Sequence, residues 1–443
     1  MSPLSCRAVL VAALGLVLFA SRTQGPYHFD DWLTPVGDPA SQSLSAFASN
    51  LTRTLRPLSK LTFALEASLG FSDAPELRRV VSALLHAATS GLLCALAARL
   101  GAGLWAATIA AGVYAVHPIH AEMVWALAGR GALLATLLLV AALLAQLRGR
   151  PWAAAAALLA ACLARETAVF GLLPLAALEL ARRPAGVVAA LRRLEPSATA
   201  VLLALAFVVQ NARYRQLIEY SARGRPWAYS SVGQLEAIPH GLSLYARPGA
   251  LSLDHGVALT HSTASIAFWL GLLTLFGLVA LTGWAALRRR TLLAVGCSFM
   301  LAALLPTQSV VPKLDPLTER PLASALVGAL LLVALGLRAA LARPRARRLL
   351  AAGCAMVTLA LAHATWSRGT LYRSDLALWR DAAAKSVSNP RPHYNLAHAL
   401  LDAGRRREAA EALRRARSID PFDSELRALA ARVEEELASA PEP

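Results

Sequence analysis

Long blocks of apolar residues without charges dominate this chain of 443 residues. The blocks are roughly 16–25 residues long, which lets a helix cross a hydrocarbon layer about 30 Å thick. Charged residues make up only 16% of the chain, against about 25% in an ordinary soluble protein. A soluble fold needs no such series of uncharged blocks, so the sequence predicts an all-α, polytopic membrane protein.

We predict eleven membrane-spanning helices. They cover approximately residues 4–20, 79–99, 103–118, 123–147, 151–164, 167–181, 197–211, 264–286, 291–306, 321–341 and 348–366. The pair Arg165-Glu166 is too polar for the middle of a bilayer, so we predict an interfacial turn there and not one long helix. The first block also has features of a cleaved signal peptide, but a retained first span fits the rest of the pattern better.

The loops between these spans fall into two alternating sets that differ in charge. One set is rich in Arg and holds only two acids, Glu179 and Glu195, which predicts a cytoplasmic position. The other set holds every remaining acid outside the tail, and it includes the two long loops 21–78 and 212–263. We therefore predict a cytoplasmic N-terminus, an extracytoplasmic tail, and chemistry on the outer face. The wealth of Arg and Ala favours a bacterial inner membrane.

The net charge of +17 does not indicate a nucleic-acid partner. The basic residues lie in short loops and do not form a stripe with interleaved aromatic residues. The five cysteines lie inside apolar blocks and have no CxxC spacing, so we interpret them as small hydrophobic residues.

The chain changes character near residue 367, which predicts a membrane domain at 1–366 and a helical domain at 367–443. Residues 390–421 have the Ala, Gly and Pro spacing of one tetratricopeptide repeat, with its turn at Gly404. Residues 374–388 resemble the last helix of a preceding repeat, and residues 425–437 resemble a capping helix. Since about two repeats are too few for independent stability, we expect the tail to pack on the membrane domain or on a partner. The alternative is a generic amphipathic hairpin.

The first long loop offers candidate catalytic residues. Asp30 and Asp31 are adjacent carboxylates directly after the first span, and their repulsion raises the pKa of one of them. Such a group is suited to act as a general base, although an Asp pair in a loop is also commonly just solvated. Arg56 and Lys60 add two cations on the same face.

A second group of candidates follows the third span. His117, His120 and Glu122 flank a Pro-induced break, and they suggest a metal site, substrate hydrogen bonds or simple support of the turn. The Pro between the histidines and the lack of a further ligand disfavour the metal. Arg130 lies in an apolar stretch, where a charge indicates function by default, unless it pairs with Glu122.

The third group is Lys313, Glu319 and Arg320, which lie just before a late span. Arg320 is placed at the level of lipid headgroups, where a guanidinium binds phosphate as a bidentate fork. The alternative is an anchor that only reaches the interface.

Taken together, these segments resemble the transmembrane-and-tetratricopeptide-repeat O-mannosyltransferases and their bacterial relatives, within the GT-C glycosyltransferase superfamily. The likeness covers about residues 27–440, and His-Pro-x-His-x-Glu followed by Gly-Arg is its most specific part. The matching segments are 29–31, 117–122, 129–130, 165–166, 251–255, 319–320, 379–381 and 393–396. The sequence departs from the family at Ala132, where an acid is usual, at His255, where Tyr is usual, and after Arg320, where a Tyr-containing stretch is missing.

The resemblance implies a multi-spanning enzyme that moves a sugar, mannose or another hexose, from a polyprenyl phosphate to a protein hydroxyl. Asp30 or Asp31 would be the base, with Asp31 slightly favoured. Arg320, Arg130 and Lys313 would hold the lipid phosphate. The tail would hold the acceptor or a partner. Arginines suffice to stabilise a departing phosphate, so we expect no metal or other cofactor.

The remaining members of the predicted binding set are Glu319, His117, His120, Glu122 and Arg56. Two other functions fit the sequence less well. One is a non-catalytic membrane scaffold whose repeats recruit partners. The other is a lipid-sugar flippase, which would be supported by repeated halves that the sequence does not contain.

Overall fold

The structure is a computed structural model that describes residues 2–183, 186–224, 227–307, 315–386, 388–421 and 424–438. Within these ranges the regular elements are helices and short helical turns, without strands. The all-α prediction is therefore confirmed.

The chain is helical along most of its length, in both halves. The α-helices of the first half are α1 Pro3–Ala20, α2 Leu44–Asn50, α3 Pro57–Ser68, α4 Pro75–Arg99, α5 Leu104–Val116, α6 Ala121–Val124, α7 Arg130–Leu147, α8 Pro151–Ala164, α9 Leu172–Arg182, α10 Gly186–Gln210 and α11 Ala212–Gly224. Those of the second half are α12 Trp227–Ser243, α13 Ile266–Leu287, α14 Thr291–Leu304, α15 Glu319–Leu341, α16 Pro344–Leu371, α17 Asp375–Lys385, α18 Arg391–Asp402, α19 Arg406–Ile419 and α20 Ser424–Ala438.

Each predicted span overlaps one of these helices: α1, α4, α5, α7 to α10 and α13 to α16. Among the described residues, seven helical segments are long and apolar enough to cross a membrane, and α5, α8 and α14 are shorter apolar helices. The polytopic architecture is confirmed, while the number eleven stays a prediction. Helix α16 continues to Leu371, past the predicted domain boundary at 366, and that boundary also stays a prediction.

The outer surface of the bundle is apolar. Along α13, Ile266, Leu273 and Phe276 each expose more than 60% of their surface. A soluble protein rarely exposes so large a contiguous apolar patch. Such a surface is compatible with the hydrocarbon chains of a membrane. Several helices begin with Pro in their first turn, among them α1, α3, α4 and α8. Pro is well suited to that position because the missing N–H has no partner there in any helix.

The predicted span 123–147 was wrong at its start. The chain forms the short helix α6, then a tight turn at Leu127–Gly129, and α7 begins only at Arg130. A side chain at Gly129 would place its Cβ 2.5 Å from the carbonyl oxygen of Glu122. Only glycine fits where the backbone doubles back so closely. The fold-back keeps Arg130 at the end of the bundle, away from its middle.

The two long outer loops contain α2, α3, α11 and α12. They meet at one end of the bundle, where Asn211 Nδ2 donates to the carbonyl oxygen of Thr54 at 3.0 Å, and the Tyr214 hydroxyl accepts from the backbone N–H of Arg56 at 3.0 Å. We call this the outer end. The Arg-rich loops meet at the opposite end, where Arg182 donates to the carbonyl oxygen of Leu147. This grouping agrees with the predicted sidedness, whereas the compartments stay predictions.

The tail consists of α17 to α20. Helices α18 and α19 form the predicted hairpin, and Gly404 takes up the left-handed conformation at its turn, with φ of 72°, as is common just after a helix end. Of the residues whose spacing predicts contact between the two helices, five are buried, namely Ala397, Leu400, Ala409, Leu413 and Ala416, whereas Leu396 is half-buried and Pro421 is exposed. The tail packs against the outer end of the membrane domain, as expected.

Candidate active site at the outer end of the bundle

Polar side chains from distant parts of the sequence converge at the outer end. Arg320, in the first turn of α15, lies between two carboxylates. Its Nη2 atom is 3.1 Å from Asp30 Oδ2, and its Nε atom is 2.6 Å from Glu122 Oε1. The structure therefore brings together three of the residues that the sequence proposed for the site.

These three side chains differ in exposure. The side chain of Asp30 is 39% exposed, whereas those of Arg320 and Glu122 are 16% and 6% exposed. Burial raises the pKa of Glu122, and the neighbouring Arg320 opposes that rise. Asp30 is thus the more accessible carboxylate, whereas Glu122 contacts Arg320 on its buried side.

Asp31 has a different environment from Asp30. Its side chain is fully buried, and it accepts hydrogen bonds from the backbone N–H groups of His28 at 3.1 Å and Ala128 at 2.8 Å. Burial raises the pKa of Asp31, and the two backbone donors act against that rise. Asp31 joins the first loop to the fold-back before α7. These contacts argue against the slight preference for Asp31 as the base and favour Asp30.

Arg56 and Glu166 form a second ion pair. Arg56 Nε and Nη2 donate to the two carboxylate oxygens of Glu166 at 2.9 and 2.7 Å. Although burial raises the pKa of Glu166, Arg56 and Arg165 outweigh it and lower that pKa to about 2. Because Glu166 occupies the Nε–Nη2 edge of Arg56, only the edge formed by its two Nη atoms is left for a substrate phosphate.

Arg165 is the cation that the sequence analysis left out of the site. Its guanidinium has no hydrogen bond or ion pair to any residue that the structure describes. Burial, together with repulsion from Arg56, lowers its pKa to about 10, so the group is still charged at neutral pH. A half-buried cation without a hydrogen-bonded protein partner is suited to bind an anion. Arg165 could have been included in the predicted site because Arg165-Glu166 matches a Lys-Glu pair in the family that the sequence resembles.

A cleft descends from Arg165 into the membrane domain. Its walls come from α7, α14, α15 and the turn after α8, and they carry mostly small residues, including Ala132, Ala135, Thr136, Ala302, Ala303 and Ser324. The cavity is small, about 40 Å³. The cleft combines small apolar side chains with one cation, which matches the chemistry of a phosphate on a lipid chain, and its volume holds only a small part of such a molecule.

Arg130 lies outside this site. It is fully buried, and its guanidinium contacts Glu66 Oε1 at 2.5 Å, the carbonyl oxygen of Arg78 at 2.6 Å and the Ser82 hydroxyl at 3.2 Å. Its charge also lies 4.1 Å from the centre of the Phe63 ring. The alternative that pairs Arg130 with Glu122 was wrong, since the partner is Glu66. A guanidinium with all these partners has little left to offer a lipid phosphate.

The two histidines support the fold. His117 Nδ1 accepts from the backbone N–H of Ile119 at 3.1 Å, and its Nε2 lies 3.1 Å from the carbonyl oxygen of Tyr245. His120 packs against the rings of His86 and Tyr114, and burial keeps its pKa well below the usual value. The ring is therefore neutral. No group of three metal-ligating side chains occurs among the residues that the structure describes.

Glu319 is a buried structural carboxylate. Its oxygens accept from Arg368 Nη2 at 2.9 and 3.1 Å and from the backbone N–H of Ser252 at 2.7 Å. His255 Nε2 lies 3.1 Å away. These bonds join α15, α16 and the second long loop.

Lys313, the last predicted phosphate ligand, lies outside the described residues. Lys60 is buried and pairs with Asp38 at 3.0 Å.

The tail is attached next to the site. Arg391 of α18 binds Asp254 through two bonds of 2.6 and 2.8 Å, and it also binds Asp315 at 2.8 Å. Asn389 adds a bond of 3.0 Å to Asp254. Because the carboxylates belong to the membrane domain, these contacts hold the two parts of the chain together on one face. Sequence analysis could not identify Arg391 or Arg368, because nothing local indicates their partners.

The chain is similar in sequence to proteins that have curated names. The chain is 32% identical over 176 residues to the protein O-mannosyl-transferase Tmtc2 of Drosophila melanogaster, which covers 37% of this chain and 18% of that protein. It is 31% identical over 156 residues to the human protein O-mannosyl-transferase TMTC4, covering 29% and 21% of the two chains. The matches thus span about a fifth of these relatives.

A tetratricopeptide-repeat family model matches residues 376–433, which confirms the repeat predicted in the tail. No solved structure matches the chain. On these findings, the chain is a multi-pass membrane protein with a C-terminal tetratricopeptide repeat, similar in sequence to the TMTC protein O-mannosyl-transferases.

Proposed function

We propose that this protein is a membrane glycosyltransferase that moves a hexose, such as mannose, from a polyprenyl-phosphate donor to a protein hydroxyl. The observation that carries the proposal is the arrangement of Asp30, Arg320 and Arg165 above an apolar cleft. The names of the similar proteins support glycosyl transfer to protein. A lipid donor would explain why a cation without a hydrogen-bonded partner lines a cleft between apolar helices.

The proposed reaction assigns each group one task. Asp30 accepts the proton of the acceptor hydroxyl, whose oxygen forms a new bond to the anomeric carbon of the sugar. The bond from that carbon to the phosphate oxygen breaks, and polyprenyl phosphate leaves with the electron pair. Attack opposite the leaving group inverts the configuration. Arg165 and Arg320 stabilise the negative charge that develops on the phosphate.

Supporting roles follow from the contacts. Glu122 orients Arg320, Glu166 orients Arg56 beside Arg165, and Asp31 fixes the loop that carries Asp30. Glu319, Arg130, His117 and His120 hold the surrounding helices. Two arginines supply the positive charge that a metal ion supplies in other transferases, so we expect transfer to persist in EDTA.

The compartment and the acceptor belong to the same proposal. The outer end would face the periplasm of a bacterial inner membrane, with the N-terminus in the cytoplasm. The tail would bring the acceptor protein to Asp30, since tetratricopeptide repeats commonly bind peptides in their concave surface.

The test is sugar transfer by purified protein from a lipid-linked hexose to an acceptor peptide. We expect Asp30→Asn to lower kcat by about 10²- to 10⁴-fold, as for loss of a general base, while the protein folds normally. The exposed Asp73 is in the same loop, and Asp73→Asn serves as the matched control. Full activity of Asp30→Asn would refute the assignment of the base.

A scaffold function has one observation in its favour, the repeat match in the tail. It requires that the tail bind partners while no lipid-linked sugar is consumed. Wild-type protein that binds partners but transfers no sugar from any of several lipid-linked hexoses would establish the scaffold and exclude the enzyme.

A further inference from the structure

The C-terminal domain touches the residues that directly precede Asp30. His28 Nδ1 lies 2.5 Å from Asp375 Oδ1, and His28 Nε2 lies 2.8 Å from the carbonyl oxygen of Tyr372. The next residue, Phe29, packs edge-on against Trp379, with ring centres 5.3 Å apart. The tail therefore contacts two consecutive residues of the first outer loop, His28 and Phe29.

Most of the residues in these contacts are buried, although the side chain of Asp375 is 37% exposed. His28 is 1% exposed and Trp379 is 5% exposed. Trp379 forms a small apolar cluster with Ala382 and Ala399 of the tail, and Phe29 and Leu253 of the membrane domain complete it. A side chain from each long outer loop thus packs into the cluster around Trp379.

Phe29 has a strained backbone. Its φ angle is 41°, in the left-handed region that a bulky residue adopts only when its surroundings impose it. Such strain persists only under strong local constraint. Here the constraint before Asp30 comes from the tail, and the constraint after it comes from the bond between Asp31 and the Ala128 N–H.

Asp30 is held between these two fixed points, with its carboxylate 3.1 Å from Arg320. We propose that Trp379 and Asp375 are positioning residues of the reaction site, which hold Phe29 and His28 so that Asp30 faces Arg320. The tail is then a structural part of the site as well as a domain for binding other proteins. This inference rests on the proposed function, because it assumes that Asp30 acts on the substrate.

The attachment of α18 strengthens this arrangement. The Arg391 guanidinium lies 5.6 Å from the centre of the Phe29 ring while it binds Asp254 and Asp315. Lys385 at the end of α17 donates to the carbonyl oxygen of Leu251 at 2.8 Å. Helix α17, which carries Trp379, therefore contacts the outer loops through Asp375 at its start and Lys385 at its end.

The first experiment measures sugar transfer by the full-length protein. We expect Trp379→Ala to lower kcat by about 10- to 100-fold, since a misplacement of about 1 Å can cost 10²-fold, without changing the KM of the lipid donor. Trp379→Phe should recover most of the rate because it restores a ring against Phe29. Arg380→Ala changes the adjacent, half-exposed residue and should have no effect.

A double-mutant cycle separates positioning from acceptor binding. If Trp379 acts through Asp30, Trp379→Ala should cause no further loss in the Asp30→Asn protein. Losses that multiply in the double mutant would overturn the proposal and assign Trp379 an independent role.

The second experiment does not depend on sugar transfer. A cysteine introduced by Asp30→Cys is labelled with a membrane-impermeant maleimide, and the labelled peptide is quantified by mass spectrometry. We expect Trp379→Ala or Asp375→Ala to raise the labelling rate at least several-fold, whereas Arg380→Ala leaves it unchanged. Equal rates in all four proteins would refute the positioning role even if the protein is a transferase. A raised labelling rate, together with no sugar transfer by the wild-type protein, would uphold the contact and reject only the enzyme.

Discussion

The pair between Arg56 and Glu166 gives the most quantitative prediction. The pKa of Glu166 is about 2 in the folded protein against an ordinary value of 4.5. Its side chain is 24% exposed, and that of Arg56 is 32% exposed, so solvent screens the pair only partly. Since a tenfold change in an acid dissociation constant corresponds to ~1.4 kcal/mol, ionised Glu166 stabilises the fold by roughly 3 kcal/mol at pH 7.

The perturbation is Glu166→Gln, which keeps the shape and removes the charge. A lowered folded-state pKa means that the contribution is complete above the unfolded-state value of 4.5 and is lost as the pH falls toward 2. We therefore expect the variant to be less stable by about 3 kcal/mol at pH 7. At pH 3 the difference should shrink to less than half of that.

The assay is reversible unfolding in mixed detergent micelles, followed by tryptophan fluorescence at both pH values. Glu76→Gln is the matched control, because Glu76 is an exposed acid of the same outer loop region, and we expect it to change stability by less than ~0.5 kcal/mol. A Glu166→Gln protein as stable as the control at pH 7, or a difference that does not depend on pH, would refute the reasoning.

Three further predictions concern the residues around the site. Arg130→Met should lower the free energy of unfolding by about 3–5 kcal/mol, because it leaves the buried Glu66 without its closest partner; unchanged stability in micelle unfolding would contradict this. Ala303→Phe should fill the cleft and raise the KM for the lipid donor at least several-fold, whereas Ala360→Phe on the exposed face of α16 should not; equal KM values would exclude the cleft as the donor site. Arg391→Met should release the tail and accelerate its cleavage in limited proteolysis, and an unchanged rate would show that the ion pairs do not hold it.

The membrane helices could be predicted from the sequence because their signal is local. A block of apolar residues such as 264–286 needs no knowledge of its neighbours to be recognised as a span. The repeat in the tail is similar, since the spacing from Leu396 to Pro421 lies within one hairpin. The start of α7 could not be predicted, because an apolar stretch hides the fold-back that Gly129 permits.

The partners of buried charges could not be predicted, because they are distant in sequence. Arg130 pairs with Glu66, and Glu319 pairs with Arg368, while composition and spacing indicate only that such charges need partners. The choice between Asp30 and Asp31 is of the same kind, since burial alone distinguishes them. Arg165 was passed over because a polar pair between two spans has the same pattern as an ordinary interfacial turn.

Binding of polyprenyl phosphate to the purified protein tests the central claim most directly. The account predicts saturable binding by the wild-type protein and at least a tenfold higher Kd for Arg165→Met. Arg148→Met, in a loop at the opposite end of the bundle, should bind like the wild type. Equal binding by all three proteins, or none by the wild type, would contradict the proposal that Arg165 and the cleft below it hold a lipid phosphate.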